Sequence, residues 1–150
     1  MVAQQKLEVD IATDYAIVWL PNGIAIGTSG ADTTELLRII DPITGRIILS
    51  KEDVRAISAF ALSPSHSQLA IADITGGVSI WNTEFSQNIS TSASVQQGDL
   101  QNAFGWTIAW SPDGTKLITG HQSGIVKVWD VANLQEGSII PLVWEQNAQL

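Results

Sequence analysis

From Ile108 to Asp130 the chain alternates short apolar runs with turn residues: Ile108-Ala109-Trp110, Ser111-Pro112-Asp113-Gly114, Leu117-Ile118-Thr119, then Ile125-Val126 and Val128-Trp129. The runs have strand length and are rich in β-branched and aromatic residues, so the stretch predicts strand, tight turn, strand, turn, strand. Pro112 pre-sets φ at the second turn position, and Gly114 accepts a conformation that other residues resist. Near the N-terminus, Lys6 to Ile11 alternates polar and apolar residues with period two, which puts Leu7, Val9 and Ile11 on one face of a strand. No long apolar stripe of helical period interrupts these patterns, and an all-β chain is expected.

The pattern repeats. Pro21, Pro64 and Pro112 each follow an apolar run, spaced 43 and then 48 residues apart. Ile40-Asp41, Trp81-Asn82 and Trp129-Asp130 close the corresponding stretches at spacings of 41 and 48. Three copies with this period, the last ending in Trp-Asp, resemble WD40 repeats, each the four-stranded blade of a β-propeller. The resemblance implies a partial β-propeller of three four-stranded antiparallel blades. Blade one is expected at about 15–50, blade two at about 57–91 and blade three at about 106–144. The strand at 6–11 belongs to none of them and is read as the outermost strand of a preceding or closing blade. Pro141 cannot donate to a ladder and suits the outer edge of blade three.

Family members usually carry a buried hydrogen-bond tetrad in each blade. Its members are a His from a Gly-His pair ahead of the first strand, a Ser or Thr on the second, the Trp on the third, and an Asp before the Gly of the turn entering it. Trp81 and Trp129 are present, but blade one has Ile40; Thr119 supplies a hydroxyl in blade three only. The Asp positions read Thr75 and Ser123, and no Gly-His precedes a first strand. Gly120-His121 has the dipeptide at the end of a second strand and is not given the role. The chain thus resembles a divergent member of the family, and its blades are expected to depend more on apolar packing.

Three blades do not close a ring, because propellers typically have about 4–8. Each blade is apolar on both faces, so two faces would stay open and invite association. Further blades of a larger propeller, or a homo-oligomer, are the expected remedies, the first being favoured because the family's proteins commonly contain more repeats.

Composition narrows the chemistry. The net charge of −8 lacks the basic surface that drives phosphate-backbone binding, so no nucleic acid partner is expected. The absence of Cys removes disulfides, thiolate metal sites and thiol nucleophiles. His66 and His121 fall in different blades and read as surface or turn residues, Glu52-Asp53 as solvated charge, and Ser111 lies in no Gly-x-Ser-x-Gly elbow. No enzyme activity, cofactor or metal is expected. No apolar run approaches the ~20 residues of a membrane helix, and the first residues lack a signal-peptide core. A cytoplasmic protein without membrane contact is the expectation.

Two length differences point to a binding rim. The turn Ser29–Thr34 in blade one is about two residues longer than its counterparts, and Ser92–Phe104 adds about seven to a connector. In an up-and-down meander both lie at the same end. Tyr15, Ser58 and Trp106 are equivalent first-strand residues at that end, and Trp19 and Trp110, four residues on, are expected core positions. The candidate interaction rim is Tyr15, Asp32, Asp53, Asp99, Phe104, Trp106 and His121. Aromatic rings there would anchor a protein partner, and the acidic groups favour a basic or polar one. A protein–protein interaction scaffold follows as the expected function. The alternative is a small-ligand or carbohydrate-binding propeller lectin, disfavoured because Tyr15, Ser58 and Trp106 do not repeat one pocket.

Overall fold

The computed structural model describes residues 15–28, 37–52, 57–74, 76–86, 88–91, 105–121 and 124–141. Among these, twelve strands form three antiparallel sheets of four, each a meander in chain order. Blade one comprises β1 (Tyr15–Leu20), β2 (Gly23–Thr28), β3 (Leu37–Ile40) and β4 (Ile47–Lys51). Blade two comprises β5 (Ile57–Leu62), β6 (Gln68–Asp73), β7 (Val78–Asn82) and β8 (Asn88–Thr91). Blade three comprises β9 (Gly105–Trp110), β10 (Lys116–His121), β11 (Ile125–Asp130) and β12 (Gln135–Pro141). The first strands β1, β5 and β9 are neighbours in space, so the sheets fan outward from them. This is the partial propeller of three WD40-like blades that the repeats imply. The strand expected at 6–11 lies outside the described residues.

Register fixes which residues are equivalent. Trp19 pairs with Ile24 and Ile24 with Ile40; Leu62, Leu69 and Trp81 form the same row in blade two, and Trp110, Leu117 and Trp129 in blade three. Because side chains alternate along a strand, each blade has a leading face toward the preceding blade and a trailing face toward the next. Phe60, Leu62, Leu69, Ile71 and Trp81 lead on blade two and share one core with Ala16, Val18, Ala25, Leu37 and Ile39 of blade one. The trailing face of blade two gives Ala59, Ala61, Ala70, Ala72, Val78 and Ile80 to a second core, filled from blade three by Ile108, Trp110, Leu117 and Trp129.

At both junctions, large leading side chains enter a trailing inner surface of small ones. Gly27 shows how tight the fit is: a Cβ there would come within 2.7 Å of Ile57 Cγ2 and 2.8 Å of the Phe60 ring. Size alternation of this kind lets two sheets approach without voids. A polar tie crosses the second junction, where the Trp110 indole N–H donates to the Ala61 carbonyl at 2.8 Å. At the first, the Lys51 ammonium lies 5.0 Å from the centroid of the Trp81 ring.

Trp19 corrects the expectation of a core position. It is 65% exposed, although its row-mates Leu62 and Trp110 are packed, because among the described residues no blade stands in front of blade one. The last strand also begins earlier than expected, at Gln135, after a register shift between Val128 and Trp129; it is the edge strand, and Pro141 ends it.

Candidate interaction surface

The meander sends the β2–β3, β6–β7 and β10–β11 connections to the end of the blades where β1, β5 and β9 begin. Tyr15 opens β1 opposite Thr28, the last residue of β2. Trp106 is the second residue of β9, next to Gly105, which pairs with His121. Asp32, Asp53, Asp99 and Phe104 lie outside the described residues.

His121 is not on the exposed rim. It is 9% exposed and ends a row of alternating residues, Leu117, Thr119 and His121, on the leading face of blade three. Its Nε2 lies 2.8 Å from Thr119 Oγ1, and Thr119 Oγ1 accepts a hydrogen bond from Trp129 Nε1 at 2.9 Å. Thr119 and Trp129 are buried too, at 1% and 2% exposure, so the chain His121–Thr119–Trp129 is an interior support beneath the rim. This corrects the reading of His121 as a surface or turn group. The family arrangement is approached from a different chain position, with the imidazole supplied by the end of the second strand. Period-two alternation through Gly120 was the signal that could have found it.

Blade two solves the same problem differently. The residue equivalent to His121 is Asp73, that equivalent to Thr119 is Ile71, and the Trp81 indole turns to Ser79 Oγ at 3.2 Å. Asp73 is buried and its carboxylate accepts the Gly77 N–H at 2.9 Å, while its own N–H donates to the Gly77 carbonyl at 3.0 Å and its carbonyl accepts the Gly76 N–H at 3.0 Å. A Cβ on Gly77 would come 2.6 Å from Asp73 Oδ2, so that turn is closed around the carboxylate. Sequence reasoning passed over Asp73 because it searched the position before Gly76. Blade one, with Ile26 and Ile40 in the equivalent places, has no such polar chain.

The opposite end carries carboxylates already committed to their own turns. Asp113 accepts from Ser111 Oγ at 2.6 Å and from Thr115 N and Oγ1 at 3.0 and 2.9 Å. The Ser111 hydroxyl foremost, then the two Thr115 donors, hold its pKa down at about 2. Asp41 accepts from the Thr44 and Ile43 N–H groups, which lower its pKa. Asp130 of the Trp-Asp pair accepts from Lys116 Nζ at 2.9 Å and from the Ala132 N–H at 3.0 Å, and these lower its pKa in that order. Asp130 thus caps the exit from β11 and ties it to β10. Among the described residues no group of three His, Cys, Asp or Glu side chains is disposed to hold a metal ion.

Three antiparallel meanders fanned about adjacent first strands, with large faces set into small ones, define part of a β-propeller. A family model for the WD domain, G-beta repeat, matches residues 103–130, the blade in which the polar chain is fullest. The chain is 27% identical over 128 residues to the small ribosomal subunit protein RACK1y of Oryza sativa subsp. japonica, covering 85% of this chain and 37% of that protein. Among solved structures it superposes on hydrazine synthase of Kuenenia stuttgartiensis with a TM-score of 0.68 at 16% identity, over 94% of this chain and 39% of that one, a likeness of fold alone. The chain therefore spans well under half the length of either. The matched repeat and the fold make the chain similar to the WD40-repeat family of β-propeller proteins.

Proposed function

We propose that the chain is a non-enzymatic protein–protein interaction scaffold, a segment of a propeller whose ring is closed by further blades or by another subunit. The observation that carries the reading is the division of labour between the two ends. At one end Asp41, Asp113 and Asp130 are occupied in holding turns. At the other, the inner strands begin beside the buried His121–Thr119–Trp129 chain of blade three, with Tyr15 and Trp106 at the strand starts, and by sequence Asp32, Asp53 and Asp99 fall in the segments joining the strands. Aromatic anchors on a stiff platform lose little entropy on binding, and an acidic surround with a net charge of −8 speeds encounter with a basic partner and disfavours nucleic acid. Phe104 completes the proposed rim. The likeness to a protein named for the small ribosomal subunit fits a role in docking within a larger assembly.

The test is affinity capture from a cytoplasmic extract with the intact chain and with Tyr15→Ala/Trp106→Ala. A protein retained in stoichiometric amount by the first and lost by the second supports the scaffold. Binding on a glycan array would replace it with the lectin reading.

A further inference from the structure

The turn that joins β1 to β2 is built unlike its counterparts. In blades two and three the Ser63 and Ser111 N–H groups donate to the Gln68 and Lys116 carbonyls at 2.9 Å, across turns made by 64–67 and 112–115. In blade one Leu20 pairs with Gly23, so Pro21 and Asn22 alone make the turn. Asn22 is exposed, and among the described residues no hydrogen bond holds its side-chain amide. Of the chain's asparagines it alone precedes a glycine. Packing dictates that glycine: a Cβ at Gly23 would come 2.8 Å from the Ile40 carbonyl oxygen and 3.0 Å from Ile39 Cγ2.

We infer that Asn22–Gly23 is a self-modification site, at which the side-chain amide is lost without an enzyme and the turn is rebuilt as aspartate or isoaspartate. The Gly23 backbone nitrogen attacks Asn22 Cγ. A bond forms between these two atoms, the Cγ–Nδ2 bond breaks, and the Gly23 N–H proton leaves with the amide group as ammonia, giving a cyclic imide. Water then opens the ring. Cleavage at Cγ restores the ordinary backbone with aspartate at position 22, whereas cleavage at the main-chain carbonyl leaves isoaspartate and a backbone longer by one atom. Glycine suits the attack because no Cβ shields its nitrogen. Leu20 and Gly23 form the last rung of the β1–β2 ladder, and such ends open at low free energy, which frees the nitrogen to turn toward Cγ. Asp113–Gly114 offers blade three the same ring closure, and there the fold blocks it. Hydrogen bonds from Ser111 Oγ and from Thr115 N and Oγ1 hold the Asp113 carboxylate, and the Gly114 N–H donates to the Ser111 carbonyl at 2.9 Å. Isoaspartate in so short a turn displaces Gly23 from its tight seat against β3, so this product loosens blade one. The reaction is independent of what the rim binds.

The test holds the whole folded chain in mildly alkaline buffer for days and maps its tryptic peptides by mass. Protein isoaspartyl methyltransferase with labelled S-adenosylmethionine is the probe for isoaspartate. Peptide 7–38 contains Asn22 and no other asparagine, so the site is assigned directly. Conversion there should run at least about tenfold faster than at Asn82, Asn88 or Asn133, which precede Thr, Ile and Leu, side chains that crowd the nitrogen. The peptide carrying Asp113 should stay unlabelled, and Asn22→Ser should abolish labelling of 7–38. The chain enriched in isoaspartate should unfold at lower urea than Asn22→Asp, which carries the new charge on an ordinary backbone. If 7–38 stays unmodified in the folded chain yet converts once the chain is unfolded in urea, the turn protects Asn22 and the inference is overturned. Comparable conversion at the other asparagines overturns it as well, and equal urea midpoints for the isoaspartyl chain and Asn22→Asp overturn the loosening of blade one.

Discussion

Blades one and three are built on the same meander, yet among the described residues blade three carries a buried polar chain where blade one has the apolar Ile26 and Ile40. In blade three the third strand ends in Trp129, whose indole reaches Thr119, which reaches His121; in blade one the same places hold Ile40, Ile26 and Thr28. Their exits from the third strand differ too. Leu134 of blade three, like Phe85 of blade two, adopts positive φ (48° and 53°) and buries its side chain in the junction in front of it. Blade one instead places Gly45 at φ 70° and leaves Ile43 in solvent. For these two large apolar side chains burial offsets the strain of that conformation, and the preceding blade is what receives them. The difference teaches that a blade's sequence is written partly by its neighbour.

The largest effect should come from Trp129. Truncation to Ala removes a 2%-exposed aromatic from the second core and the donor of the polar chain, at a cost of about 3–5 kcal/mol in chemical denaturation. A loss below that of Ile40→Ala would break the ranking of the two blades. Thr119→Val keeps the shape and deletes the hydroxyl shared by Trp129 and His121, which should cost about 1–3 kcal/mol. Combined with Trp129→Phe it should cost less than the sum, because both changes dismantle one chain. Ser79→Ala, which removes a longer and half-buried bond, should cost about 1 kcal/mol or less.

A sharper contrast uses the two row-mates. Trp110→Phe deletes the bond to the Ala61 carbonyl and should destabilise by about 1 kcal/mol, whereas Trp19→Phe should leave the unfolding free energy of the isolated chain almost unchanged. Equal losses at the two would mean that Trp19 already has a neighbour in solution.

These rows also show what could and could not be read from letters alone. The spacing of Pro21, Pro64 and Pro112 and of the third-strand endings sufficed for three four-stranded sheets, since turn chemistry and period two are local properties. Trp19 looked like Trp110 because its strand is the same; burial depends on a sheet that the strand does not encode. His121 was overlooked because its family counterpart lies before the first strand. The two locations are neighbours in space, Gly105 at the start of β9 being paired with His121, so an imidazole can enter from either. Asp73 escaped for the same reason, reaching the turn from the strand behind it.

Acid should separate the blades in another way. Asp113 has a pKa near 2 in the folded chain against an ordinary value of 3.8, so the stabilisation it brings is fully present above about pH 4 and is lost as pH falls through about 2. Asp113→Asn should flatten that part of the stability–pH curve measured by urea unfolding. No comparable change is expected from the equivalent turn of blade two, where Ser65 stands in place of Asp113.

The smallest change probes that same turn. Gly114 adopts φ 72° and His66, its counterpart, φ 60°, and each donates its N–H at 2.9 Å to the serine three residues back. A side chain with Cβ resists this region by about 1–2 kcal/mol, whereas glycine enters freely but gives the unfolded chain more freedom, worth about 0.5–1 kcal/mol. His66 is exposed, so no packing is lost on its removal. His66→Gly should therefore stabilise by about 0.5 kcal/mol, and His66→Val should destabilise, because branching at Cβ adds to the clash. Thermal unfolding of the two variants reads the sign directly. A destabilised glycine variant would mean that the imidazole contributes more to blade two than the geometry of its turn implies.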